Sequence, residues 1–80
     1  MAPHNEFTKE QLKNLGKRLK ALRKAAGYTS AEKFAYAKDI NRVQYSRYET
    51  GADLRFNSLM RVIQALDISL AEFFGEGFEV

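Results

Sequence analysis

The sequence predicts an all-α fold, a five-helix bundle, and two observations carry that expectation. Apolar residues recur every three or four positions through most of the 80-residue chain, the period of a helix face turned toward a core. Four of the five runs open with Ser, Thr or Asn three residues ahead of Glu or Gln, the spacing of an N-terminal capping box. The one stretch that alternates apolar and acidic residues is the last, 75–80, readable as a frayed tail or as a short strand made on dimerisation.

The elements follow in order. Thr8-x-x-Gln11 heads a stripe of Leu12, Leu15, Leu19, Leu22 and Ala26, which Gly27 ends where a C-terminal glycine belongs. Gly16 inside that helix marks a place where something packs closely. Thr29-x-x-Glu32 opens a second helix running through Phe34 and Ala35 to Ala37 or Lys38. Asn41-x-x-Gln44 opens a third, carrying Tyr45 and Tyr48 to Thr50. Phe56, Leu59, Met60, Val62, Ile63 and Leu66 form the fourth, and Ser69-x-x-Glu72 heads a fifth that ends in Phe73 and Phe74 before Gly75. The expected organisation is a flexible tail over 1–7, one domain over 8–74, and a C-terminal tail over 75–80.

Composition narrows the function. There are no cysteines and a single histidine, His4, which leaves neither a thiolate site nor a histidine pair for a metal or a proton relay. Glu72, Glu76 and Glu79 are spread like solvated carboxylates, and no phosphate-binding glycine loop or nucleophile–base pair is visible. No apolar run approaches the roughly 18 residues of a membrane span, and the opening MAPHNEF does not read as a signal peptide. The expectation is a cytoplasmic binding protein, not an enzyme, with no cofactor and no metal.

The net charge of +3 is unevenly distributed. Residues 1–26 carry seven Lys and Arg against two acidic residues, 27–55 carry five against four, and 56–80 carry one against four. One reading is an ordinary solvated lysine face on the first helix; the other is a molecule that attracts polyanions on one side. Tyr28, Tyr36, Tyr45, Tyr48 and Phe34 likewise admit a base-stacking platform, but their helical spacing is that of core residues.

The second and third helices are joined by only Lys38-Asp39-Ile40-Asn41. A connection that short forces a steep crossing, the helix-turn-helix arrangement. Ala35 is small where the two axes approach, Asp39 tolerates the left-handed backbone of a tight corner, and Ile40 plugs the turn. Wound at about 100° per residue, Tyr45 and Tyr48 fall about 60° apart and face inward. Val43, Ser46 and Arg47 then occupy the opposite arc, flanked by Arg42 and Gln44. Arg suits guanine, Gln suits adenine, and Val can touch a thymine methyl; the same arc is also what a plain solvent-facing helix would show.

Residues Leu15–Phe74 resemble the Cro and phage-repressor type of helix-turn-helix, the XRE-like group. Three blocks carry the resemblance: LGKRLKALRKAAGYT, FAYAKDINRVQYSRYETG and FNSLMRVIQALDISLAEFF. It implies a phage-repressor type of five-helix bundle with the helix-turn-helix at helices 2 and 3, and sequence-specific double-stranded DNA binding by a repressor-like regulator. It places Arg42, Val43 and Arg47 against bases, with Gln44 and Ser46 beside them reaching bases or sugar-phosphate. Asn41, Thr29 or Ser30, and Thr50 would hold phosphates, the caps by presenting helix N-termini to anions. Arg55, just before Phe56, matches a site where some members direct an arginine at the minor groove.

The resemblance also pairs Arg23 with Glu49 as a structural bridge between the first and third helices. Five places depart from the family pattern. GYTSAEKFA has one extra residue and no Gln at the start of the second helix, Lys38 fills a usually apolar slot, Asp39 and Asp67 replace two common glycines, and Tyr45 is larger than the usual Ile or Val. Phe73, Phe74, Phe78 and Val80 crowd the C-terminus, as a homodimer seam or as two core and two surface residues. A dimer implies a near-palindromic operator. The alternative function is a protein-binding module, an antitoxin or phage-type accessory factor whose main target is a partner protein.

Overall fold

Asn5, rather than Thr8, begins the first helix. In the computed structural model, which describes residues 5–78, α1 spans Glu6–Ala25. Its cap is the Asn5 side chain, which accepts from the Thr8 N–H at 2.8 Å. Glu6 and Phe7, expected in a tail, form the first helical turn. The Thr8-x-x-Gln11 capping box is therefore not made: Thr8 is already inside the helix, and Asn, an equally good cap, stands three residues ahead of it.

Three of the four C-terminal ends that follow share one geometry. α1 closes with the Tyr28 N–H donating to Arg23 O and the Gly27 N–H to Lys24 O, with Gly27 at φ +97°. α2 (Ala31–Ala37) closes with Ile40 donating to Ala35 O and Asp39 to Tyr36 O. α3 (Arg42–Glu49) closes with Ala52 donating to Arg47 O and Gly51 to Tyr48 O. These are Schellman motifs, which need a left-handed residue one place past the cap. Asp39 takes that place at φ +58°, so the substituted glycine costs backbone strain but leaves the sharp turn in place. After α4 (Phe56–Leu66) the left-handed residue is the cap itself, Asp67 at φ +60°, whose N–H donates to Gln64 O. α5 (Leu70–Phe74) is short and carries a complete capping box between Ser69 and Glu72.

The core consists of Leu15, Leu19, Phe34, Ala35, Tyr45, Tyr48, Leu59, Val62, Ile63 and Phe73. Tyr28, Phe34, Tyr45 and Tyr48 form an edge-packed aromatic chain, each ring 5.0–6.4 Å from the next. These rings are interior packing, which disposes of a stacking platform for all of them except Tyr36, which is exposed on α2. The stop after α2 comes at Ala37, and Lys38 places its amine 5.9 Å over the Tyr28 ring instead of continuing the helix. The fourth helix has one surprise: Phe56 stays 66% exposed at its first position instead of anchoring it.

Candidate nucleic-acid interface

Helix α3 is only eight residues long, and a helix that short has no stability of its own in water. Its orientation comes from below. Tyr45 is fully buried and Tyr48 nearly so, and both lie on the same side. The opposite side carries Arg42, Val43, Gln44 and Arg47, all exposed, with Ser46 half-buried at the margin. Val43 is 63% exposed, an apolar methyl pair held in solvent among polar neighbours.

The helix starts are made by specific caps. Asn41 Oδ1 accepts from the Gln44 N–H at 2.9 Å. Ser30 Oγ accepts from the Lys33 N–H at 3.1 Å, so Ser30 caps α2 and the Thr29-x-x-Glu32 box does not form; exposed Thr29 lies one residue outside the cap. Exposed Thr50 donates its hydroxyl to Arg47 O at 2.8 Å. Beyond it the chain turns back, and Gln44, Arg47, Arg55 and Ser58 line an open cleft of about 540 Å³ between α3 and the start of α4. Arg55 occupies the N-cap position of α4, with no side-chain cap bond there. Arg47 and Arg55, eight residues apart in sequence, thus share one polar cleft; Ser58, on the same cleft, carried no signal in the sequence.

Under this surface lies a buried ion pair. Arg23 Nε and Nη2 donate to the two Glu49 carboxylate oxygens at 3.1 and 2.8 Å, and Nη1 donates to Tyr28 O at 3.1 Å. Both side chains are almost wholly excluded from solvent, at 5% and 7% exposure. The hydrogen bond to Glu49 raises the Arg23 pKa above its ordinary value against the opposing effect of burial. The bidentate fork fixes distance and orientation together, tying the last residue of α3 to α1. Gly16 completes the joint: a Cβ there would lie 2.6 Å from Glu49 O and 2.9 Å from Tyr48 O. Tyr45, beside the pair, has a buried hydroxyl that makes no hydrogen bond. Burial, and then the Glu49 carboxylate, push its pKa upward.

Arg18 leaves the basic face altogether. It donates to Phe73 O at 2.9 Å and to Glu72 O at 2.7 Å, satisfying carbonyls at the end of α5, with Glu76 at 4.0 Å. The four residues expected at a dimer seam separate accordingly. Phe73 is fully buried and belongs to the core, because this clamp and the capping box seat α5 on α1. Phe74 remains 44% exposed, and with half-buried Phe78 it lines an apolar groove completed by Leu12, Leu15 and Leu59. Val80 lies outside the described residues, as does His4. Among the described residues no group of His, Cys, Asp and Glu could hold a metal ion.

A short α2, a tight left-handed corner and an outward-facing third helix define the helix-turn-helix class. A family model described as helix-turn-helix matches residues 19–73. The chain belongs to that family, of the Cro/repressor XRE-like type, whose members are DNA-binding regulators. Searches of curated proteins and of solved structures return no significant match. No helix among the described residues is long and apolar enough to cross a membrane.

Proposed function

We propose that the chain is a sequence-specific, repressor-like regulator that lays α3 in the major groove of double-stranded DNA. The observation that carries this reading is the α3 arc: Arg42, Val43, Gln44 and Arg47 exposed on a helix fixed from beneath by two tyrosines and an ion pair. In this reading Arg42, Val43, Gln44, Ser46 and Arg47 meet base edges. Asn41, Ser30 and Thr50 meet phosphates, Thr29 flanks them, and Arg55 enters from the shared cleft, toward phosphate or minor groove. Base contacts then set specificity while phosphate contacts set register.

The apolar groove around Phe74 and Phe78 supports a homodimer, which would read a near-palindromic operator with half-sites about 34–36 Å apart. The same groove favours a second reading, in which a protein partner of the antitoxin or accessory-factor kind is the main target. Selection of bound duplexes from a random pool separates the two. A palindromic consensus is expected; a pool that stays unenriched while a protein co-purifies in stoichiometric amount supports the second. On the selected operator, Arg47→Ala should weaken binding by about 1–3 kcal/mol and relax preference at one base pair. Equal weakening on every sequence would make Arg47 a backbone contact.

A further inference from the structure

Helix α1 carries a row of lysines that neither the ion pair nor the α3 arc uses. Lys13, Lys17, Lys20 and Lys24 are all exposed and, at about 100° per residue, fall within an arc about 60° wide. Lys9 extends the row, but Glu6 sits 4.0 Å from its amine. None of the other four has a carboxylate within ion-pair distance among the described residues. The exposed row borders the buried flank of α1 that carries Gly16 and Arg23 and packs on α3. Its junction with the candidate interface is direct: a Cβ on Gly51, just past the end of α3, would meet Lys13 Cγ at 3.7 Å and Lys13 Cα at 3.8 Å. Arg18 points to the other flank and binds α5 carbonyls, so the two sets of cations on this helix are separated by face.

We propose that this lysine ridge is a second phosphate-binding surface, engaging the sugar–phosphate backbone of the same DNA beyond the segment held by α3. The proposal rests on the DNA-binding reading and extends it to a helix outside the helix-turn-helix. From Lys13 to Lys24 the helix advances about 17 Å, and a duplex presents one phosphate charge per about 1.7 Å of axis. Four ammonium groups therefore face a comparable length holding about ten phosphates. Lysine is a hydrated point charge on a flexible stem, suited to phosphates in any sequence and unsuited to reading bases. The ridge adds affinity and salt sensitivity without adding specificity. DNA is favoured over an acidic protein as occupant because the ridge adjoins the end of α3 at Gly51, so one duplex held by α3 can run on along it.

The test is the salt dependence of duplex binding by the full chain and by the variant Lys13→Gln/Lys17→Gln/Lys20→Gln/Lys24→Gln, on the selected operator and on a scrambled duplex. Each lost phosphate contact lowers the log–log salt slope by about 0.9, so the variant should lose about 3.6 from its slope and weaken equally on both duplexes. Acetylation footprinting of the wild-type complex is the second readout, and all four lysines should be protected by DNA. An unchanged slope in a variant with wild-type circular dichroism, or four lysines that acetylate as fast with DNA as without, overturns the ridge and leaves α3 binding standing. A wild-type chain that binds neither duplex overturns both readings.

Discussion

Arg18 and Arg23 stand five residues apart on α1 and hold opposite ends of the molecule by different chemistry. Arg23 meets a carboxylate in a nearly dry joint and orients the helix with the exposed polar arc. Arg18 meets two backbone carbonyls at the edge of the fold and seats α5, while the Glu76 carboxylate 4.0 Å away is largely in solvent. The difference lies in what each loses when its partner goes. A stranded buried charge has no solvent to recover it, whereas freed terminal carbonyls can turn to water. The same side chain is thus a rigid locator at one end and a forgiving clasp at the other.

Four substitutions would break or sharpen that contrast. The largest effect belongs to Arg23→Ala, which leaves Glu49 buried without its counter-ion and should cost about 3–5 kcal/mol in denaturant unfolding. Replacing both partners by leucine should recover most of the loss, because an apolar pair carries no desolvation penalty; a double variant as unstable as the single one would show that the fork supplies shape as well as charge. Gly16→Ala comes next. A methyl driven into the Glu49 and Tyr48 carbonyls forces α3 off α1, at about 2 kcal/mol after the helix-propensity gain, and thermal melts would register it as a lower transition. Arg18→Ala should cost about 1 kcal/mol and speed amide exchange in α5 while leaving α3 protected; equal acceleration in both helices would erase the distinction between the two arginines.

The smallest effect is expected from Tyr45→Phe. Its hydroxyl has no hydrogen-bond partner, so removing it should leave stability unchanged or raise it by up to about 1 kcal/mol. The phenol's pKa is raised in the folded chain. The folded state therefore keeps its proton longer than the unfolded one. Its share of stability is complete below the unfolded value of about 10 and declines as pH climbs past it. Alkaline titration of unfolding should show that decline in the wild type and less of it in the phenylalanine variant. A loss of stability at neutral pH would reveal a hydrogen bond to Glu49.

Local signals made the helices legible, and adjacent rivals obscured their ends. Asn5 and Thr8 are both good caps, as are Thr29 and Ser30, and residue type alone does not choose between them. Asp39 was readable as a corner residue because a four-residue connection leaves few alternatives. Phe56 misleads because an apolar residue at the head of an apolar stripe need not lie on its buried side. Arg18 was invisible for a different reason: its partners are main-chain oxygens, which every residue type supplies, so no pattern of side chains announces them. The α3 arc was readable because two inward tyrosines fix the rotation of a helix by themselves.

The close approach at Gly16 has a genetic consequence. If the chain silences a promoter as proposed, a screen for chains that no longer silence a reporter would return substitutions at Gly16 and Arg23 alongside those at Arg47, although the first two sit in the joint beneath the exposed α3 arc. Growth temperature would sort them. Lesions in the joint should regain function in the cold, while a missing guanidinium at Arg47 stays missing at every temperature. Suppressors of the Gly16 alleles should arise on the facing helix, at residues around the Tyr48 and Glu49 carbonyls that can make room for the added methyl.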